Sequence, residues 1–446
     1  MHEQTINLVL KKGSDQMFHP IPVEVPEGIE RLEFIYTYTP KKPPGDIWEN
    51  EVGFILINEK GEDVGNQGTQ GVPVSVSASY ATPKYDLSEP NAGTWMVYIT
   101  AGRILSDEVK VELKINLVPK KARWLKGDTH CHSYYSDGKH SYDWLINKSL
   151  KNGLEFLIMT DHNRTVVGDL PRAEGITMIN GIEMTYPKGH ANVWGLKHPY
   201  KGTFAVNTFE EWLERKKEAE SNGARVCINH PLCTKCPWLW PLEGFDYNIV
   251  EVWNGPMRPD NQRCIDWWHD KLTQGFKITA VGGSDYHSDF VVTNLLGNPT
   301  TCVYADSSNP EDILKGIEAG RVTITENAKK GTLITMTAGD AMIGDTISYV
   351  DGAKVKVSVK NFRKGQTLFV KDQEGILYEY TAKKNGDYEV EVPVRGKGFV
   401  RAETKQTYRG FKKLLINVVL YFMIREQAFK PHPDYCTALC NPIYFE

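Results

Sequence analysis

Residues 126–137 read KGDTHCHSYYSD. His130 and His132 lie one residue apart, and Asp137 follows five residues after the second histidine. On an extended chain, alternation puts the two imidazoles on one face and Cys131 on the other. Alone, the pair fits either an ordinary loop or the first ligands of a metal site. The rest of the chain decides between them.

From about residue 122 to residue 327, short apolar runs alternate with helical patterns. The helical stretches 141–152, 209–222 and 309–319 are each followed by a glycine stop, at Gly153, Gly223 and Gly320. This alternation predicts an α/β domain with a parallel sheet or barrel. Run after run then ends in a residue type that binds metals. The stretch 154–160 (LEFLIMT) leads into Asp161-His162-Asn163, and 176–181 (ITMING) leads into Ile182-Glu183. His190 opens 190–195 (HANVWG), and 224–228 (ARVCI) leads into Asn229-His230-Pro231. Residues 247–252 contain Glu251 and lead into Trp253-Asn254-Gly255, while 277–281 leads into Gly282-Gly283-Ser284-Asp285-Tyr286-His287. In a parallel barrel the C-terminal strand ends converge on one face. With Asp137, these segments aim six histidines, two aspartates and a glutamate at one cavity. Neutral imidazoles suit zinc, manganese or iron, and carboxylates neutralise charge and bridge ions. One HxH is a weak signal, but HxH, TDH, GIE, NHP and SDxH in this order at strand ends are a strong one.

That order resembles the PHP (polymerase and histidinol phosphatase) superfamily of metal-dependent hydrolases, over roughly residues 122–327. The flanking segments HPIPVEVP (19–26) and NPIY (441–444) resemble its CehA/McbA branch. The resemblance implies a distorted seven-stranded βα barrel with two or three divalent metal ions, of zinc, manganese or iron. Carried over by position, it places His130, His132, Glu183 and Asp285 on the first metal. Glu183 then bridges to a second, held also by His190 and His230, and Asp137, His162 and His287 hold a third. Some relatives have histidine in place of Asp137, which keeps a ligand and leaves the metal open.

Other candidates also have bland readings. His198 competes with His190 but lies past the strand and fits a turn. Asp161 either orients a histidine as a hydrogen-bond acceptor or fixes its own turn. Glu251 supports the ligands or is simply a buried carboxylate that needs a partner. His140 and His269 fall on or beside helical patterns and are not expected as ligands. Among the loop cations Lys139, Lys188, Lys235, Arg258 and Arg263, each reads first as a solvated charge. Arg164, directly after TDHN, is the best candidate for phosphate recognition.

The implied chemistry is hydrolysis by a metal-bridging hydroxide, because clustered divalent ions acidify water. Asp285 is expected, by analogy with other barrel hydrolases, to accept the proton. Ser284 and Cys131 lack an assigned base. The expected substrate is a small anionic phosphoester, a metabolite or nucleotide. The CehA/McbA resemblance also implies hydrolysis of carbamates, carboxylic esters or amides, and the tryptophans of CPWLWP (236–241) with Trp253, Trp267 and Trp268 could line an apolar pocket for it. A third reading is a carbohydrate- or protein-binding protein with a vestigial barrel.

The bulk properties set outer bounds. The 446 residues are 41% hydrophobic and 24% charged, with a net charge of −4 and a pI near 6.3. No bulk basic field favours nucleic acid or an anionic membrane. The N-terminal stretch shows no secretory signal pattern. The apolar run LLINVVLYFMI (414–424) falls short of the ~20 residues of a membrane span, so it is expected as a buried helix or strand. Eight cysteines without a signal predict reduced thiols and a cytoplasmic protein. Cys233-x-x-Cys236 lacks the second CxxC of a zinc ribbon and reads as a cysteine-rich loop. Three domains are expected: a β-sandwich-like 1–120, where short strands are evenly spaced, the hydrolase barrel 121–330, and a β domain 331–446. The oligomeric state is left open.

Overall fold

The computed structural model describes residues 2–69, 71–289, 294–424 and 434–446. They form two compact units. One comprises Met1–Ala122 with Arg172–Thr177 and Asp306–Pro310, and the other Arg123–Pro171, Met178–Ala305 and Glu311–Glu446.

The first unit is built from two four-stranded antiparallel sheets. One has the order His2–Lys11, Glu108–Pro119, Ile29–Thr39, Val74–Ser77, and the other Met17–Val25, Gly93–Arg103, Glu51–Ile57, Asp63–Gln67. Alternation explains the pairing of faces: in Ile29–Thr39, Leu32, Phe34, Tyr36 and Tyr38 are buried while Ile35 and Thr37 face out. Phe54, from the second sheet, packs on Phe34 and Tyr36 of the first with ring centroids 5.5 and 5.7 Å apart.

The second unit is mixed α/β, rich in sheet and with few helices. Arg123–Cys131 pairs parallel with Phe156–Met159 and antiparallel with Thr300–Ala305. The same sheet runs on through Val322–Thr325, Asp434–Cys440, Gly398–Thr407, Gln366–Asp372 and Gly375–Thr381. Residues beyond 331 therefore hydrogen-bond directly into the sheet that carries His130. A five-stranded sheet holds Gly181–Tyr186, Gly189–Trp194, Arg225–Ile228, Ile249–Asn254 and Thr279–Gly283. The two sheets meet at two isolated parallel bridges, Cys131 to Tyr286 and His162 to Glu183. Backbone hydrogen bonds from Asp285 N to His130 O (2.9 Å), His132 N to Tyr286 O (2.9 Å) and Asn163 N to Glu183 O (2.8 Å) tie these junctions. The candidate ligands thus sit at the seams between the sheets.

Pairing is less uniformly parallel than the alternating pattern predicts. Gly181–Tyr186 and Gly189–Trp194 form an antiparallel hairpin across Pro187-Lys188, and Arg225–Ile228 is also antiparallel to its neighbour. The two-residue turn ends at Gly189, whose φ of 150° is open to glycine. Glu183 consequently lies within a strand, not after one.

The helices Tyr142–Asn152, Phe209–Ser221 and Pro310–Glu318 occur where the glycine stops predict them. Ser141 caps the first through Trp144 N, and Thr208 with Glu211 forms a capping box on the second. A further helix, Pro259–Thr273, starts on its proline and buries Cys264, Ile265, Trp268 and Leu272. The run expected to be buried is the helix Gly410–Ile424, on which Phe411, Leu414, Leu415 and Phe422 are exposed. Among the described residues no helix is long and apolar enough to cross a membrane.

Candidate metal centre

Glu183 stands at the middle of the site, buried, with five imidazoles around its carboxylate. Oε1 lies 3.1 Å from His190 Nδ1, 3.3 Å from His130 Nε2 and 3.8 Å from His230 Nε2. Oε2 lies 2.8 Å from His162 Nδ1 and 3.6 Å from His132 Nε2. Asn229, of the NHP motif, donates to Oε1 at 2.8 Å. Asp285 Oδ1 lies 3.0 Å from His132 Nε2 and 3.4 Å from His130 Nε2. Towards solvent, Asp137 lies 3.2 Å from His287 Nε2 and 3.6 Å from His162 Nε2. His130, His132, His230 and Glu183 form a buried floor, whereas 57% of the Asp137 side chain is exposed. The site is closed below and open above.

All nine sequence-predicted ligands therefore meet in one cluster. Four sets of side chains each bring their donor atoms within 4.8 Å of one another: His132, Asp137, His162 and His287; His130, His132 and Glu183; His130, His230 and Glu251; and His190, His230 and Cys236. Glu251 and Cys236 were not singled out as ligands by the motif order. Glu251 Oε1 lies 3.0 Å from His130 Nδ1. His198 is exposed, and His140 stacks on Trp144 at 3.5 Å. His269 accepts a hydrogen bond from Arg401 Nε.

The donor set fits divalent cations. His130 Nε2, His132 Nδ1 and His230 Nε2 are buried without a hydrogen-bond partner, a costly arrangement unless something else satisfies them. Burial by itself would raise the Glu183 and Asp285 pKa values. The facing imidazoles, His130 foremost for both, outweigh it and hold both carboxyls well below the usual carboxylate range.

A surrounding shell sets the geometry. Asp161 accepts from Ser133 N (2.7 Å), Ser133 Oγ (2.8 Å), Ser136 Oγ (2.8 Å) and Tyr142 OH (3.3 Å), so it fixes the turn that carries Asp137 and orients no histidine. Thr185 Oγ1 lies 2.5 Å from His162 Nδ1, and the Asp285 carbonyl 2.8 Å from His287 Nδ1, which turns both Nε2 atoms to Asp137. Asp128 accepts from Ser284 N and Gly297 N at 2.9 and 2.8 Å and locks the HxH and SDxH segments together. Burial pushes its pKa up to about 6. A side chain at Gly283 would collide with His130 Cβ and Glu251 Oε1. Asn163, His230 and Asp285 have φ values of 50°, 30° and 50°. Non-glycine residues in this left-handed region carry strain that clusters at functional sites.

The chain matches no protein-family model and no curated protein. Among solved structures it is similar to a two-domain protein of Bacteroides vulgatus, described as containing a predicted PHP-like metal-dependent phosphoesterase. The identity is 20%, over 63% of this chain and 90% of that one, with a TM-score of 0.40. A Bifidobacterium adolescentis protein, described as a metal-dependent phosphoesterase by assignment only, is 15% identical over 42% of this chain and 95% of its own, with a TM-score of 0.29. These are partial likenesses, and the functional reading rests on the geometry of this chain's own residues.

The loop cations differ in what they bind. Arg258 is buried and donates to Asn254 O and Oδ1 at 2.7 and 2.9 Å, and Arg263 pairs with Asp260. Arg164 donates to Tyr135 O at 3.1 Å and lies over the Tyr135 ring, beside the turn bearing Asp137. Lys139 is exposed, with its backbone N bonded to His287 O. Trp238, Trp240 and Trp268 are buried in the core, whereas Trp253 lines an open pocket with Pro256, Met257, Tyr408 and Ile416.

Proposed function

We propose that this chain is a metal-dependent hydrolase of ester bonds acting on a small anionic phosphoester, a phosphorylated metabolite or nucleotide. The observation that carries the reading is the convergence of nine histidine, aspartate and glutamate side chains on one partly open cluster in which three buried imidazole nitrogens lack hydrogen-bond partners. His130, His132, Glu183 and Asp285 would hold one ion, Glu183 with His190 and His230 a second, and Asp137, His162 and His287 a third. Zinc, manganese and iron all suit this donor set. When bound, such ions supply Lewis-acid polarisation of an ester oxygen and acidify water.

The chain's own residues have separate tasks. Asp285 is the proton acceptor, aimed by His132 and by Asn254 Nδ2, which donates to Oδ2 at 3.3 Å. Arg164, with Lys139 on the same rim, meets the anionic oxygens of the substrate. The buried floor keeps bulk water from one side of the reacting group. We read the seven strands that carry these residues as one distorted barrel of PHP type, supported by the two bridges that join the sheets. The CehA/McbA assignment rests on the two flanking sequence segments. Eight free thiols are in keeping with the cytoplasm. The rim cations favour a phosphoester over a carbamate or carboxylic ester.

The test is metal analysis of the purified protein with a substrate panel. We expect bound transition metal and metal-dependent hydrolysis of p-nitrophenyl phosphate. Activity confined to p-nitrophenyl acetate or aryl carbamates would assign the carboxyl chemistry instead. Neither metal nor hydrolysis after added manganese or zinc would leave a binding protein. An Asp285→Asn variant that keeps both metal and full turnover would remove Asp285 from its role.

A further inference from the structure

The CxxC pair lies against the metal centre. Cys236 Sγ is 3.8 Å from His230 Nδ1, and the donor atoms of Cys236, His230 and His190 all lie within 4.8 Å of one another. We propose that Cys236 is a thiolate ligand of an ion shared with His190 and His230, bound through His230 Nδ1. This rests on the hydrolase reading and reassigns one of its ions: His230 would serve the ion shared with Cys236 and His190 through Nδ1, and its Nε2 would face Glu183.

Three observations carry the assignment. The first is distance. Zinc–nitrogen bonds of about 2.0 Å and zinc–sulfur bonds of about 2.3 Å at near-tetrahedral angles put the two donors roughly 3.5–3.8 Å apart, and the observed separation falls there. The second is that His230 is buried, with Nδ1 turned to Cys236 Sγ and Nε2 turned to Glu183 Oε1 at 3.8 Å, so the ring is oriented to present Nδ1 on the side of the sulfur. The third is the loop. Cys233 N bonds back to His230 O at 2.9 Å, Trp238 N to Pro231 O at 3.0 Å, and Leu239 N to Lys188 O at 2.7 Å. Trp238 is buried against Trp212 with ring centroids 5.0 Å apart. The tryptophans of CPWLWP therefore anchor the segment that presents Cys236. Cys236 Sγ donates to Cys233 Sγ at 3.2 Å, and Cys233 lies 4.0 Å from Arg258 Nη2; an ion on Cys236 would take the place of that proton.

The consequence is metal choice. Thiolate favours zinc over manganese or magnesium, which prefer oxygen donors. A Cys236→Ser variant should lose at least about tenfold in zinc affinity, with a smaller change for manganese.

Cobalt substitution of the full chain, kept in a phosphine reductant, tests this directly. The cobalt-loaded protein should show a near-ultraviolet thiolate-to-cobalt charge-transfer band besides its visible ligand-field bands. Cys236→Ser should abolish the first and keep the second, and Cys233→Ser should keep both. Ligand-field bands without a charge-transfer band, or a charge-transfer band that survives in Cys236→Ser, would overturn the thiolate ligand while leaving the metal centre intact. No cobalt binding at all would overturn both readings. Should Cys236→Ser fail to fold, alkylation of the wild type followed by peptide mass mapping replaces it. Zinc should then protect Cys236 from modification, and equal labelling with and without zinc refutes the proposal.

Discussion

Replacing Glu183 by Gln removes one negative charge from the centre of the site and almost no volume. The fold should survive, because the amide oxygen can still accept from Asn229, now at 2.8 Å from Oε1. Metal affinity should not. Loss of even an outer partner of a metal ligand weakens binding about 10–100-fold, and Glu183 faces five imidazoles, so about 100-fold is a fair expectation, or ~2.7 kcal/mol. At a metal concentration about 100 times the wild-type Kd, binding stabilises the native wild type by ~2.7 kcal/mol and the variant by only ~0.4 kcal/mol. The unit that carries the site has about 310 residues, and at ~2.1 cal/mol/K per residue its unfolding entropy is ~0.65 kcal/mol/K. Metal should therefore raise the wild-type Tm by about 4 °C and the variant Tm by less than about 1 °C. Thermal melts followed by circular dichroism, with and without a chelator, measure both shifts. Equal metal-dependent shifts in the two proteins would refute a central ligand role for Glu183.

Away from the site, Glu403 is fully buried with Arg401, Lys371 and Lys405 at 2.8, 2.7 and 3.3 Å. Glu403→Gln should cost about 3–5 kcal/mol in urea unfolding, because it leaves buried cations unpaired, and a loss below about 1 kcal/mol would contradict this. Burial alone would raise the Glu403 pKa, but the three cations, Arg401 foremost, hold it far below the usual range. Its contribution is thus present above the unfolded carboxyl value of about 4.3 and is lost as pH falls below it. The stability gap between wild type and Glu403→Gln should narrow from about pH 6 to about pH 3. A gap that stays constant would show that the pair does not titrate this way. Thr208→Ala breaks the capping box on Phe209–Ser221 and should cost about 1 kcal/mol of stability with hydrolysis unchanged, as read by parallel urea melts and rate assays. Arg164→Ala should raise KM for a phosphoester about tenfold or less and leave kcat near wild type, and an unchanged KM would remove Arg164 from substrate recognition.

Much of the architecture is legible because its signals are local. Ile29–Thr39 and Gly93–Arg103 alternate cleanly, and each of three helices stops at a glycine. Met17–Val25 hides its strand character behind Pro20 and Pro22, which the sheet tolerates because that strand lies at an edge. Pro259–Thr273 carries its helical spacing in Cys264, Ile265, Trp268 and Leu272, and the tryptophan pair drew attention to a pocket instead. The hairpin at Pro187-Lys188 departs from the parallel sheet expected for the domain, since alternation alone does not give strand direction.

The same division holds at the site. The types of the nine donors and their order at strand ends come from the sequence alone, because a period of two and a short motif need only neighbouring residues. Asp161 and Glu251 could not be assigned that way. One turned out to serve a turn and the other faces His130, and both outcomes depend on partners tens of residues away. Cys236 is the clearest case. As a lone CxxC it has no second pair, and only the folded loop, held by Trp238, sets its sulfur beside His230 and His190. Residue chemistry is a property of the chain, whereas the convergence that makes a metal centre depends on distances that strand pairing and loop packing alone create.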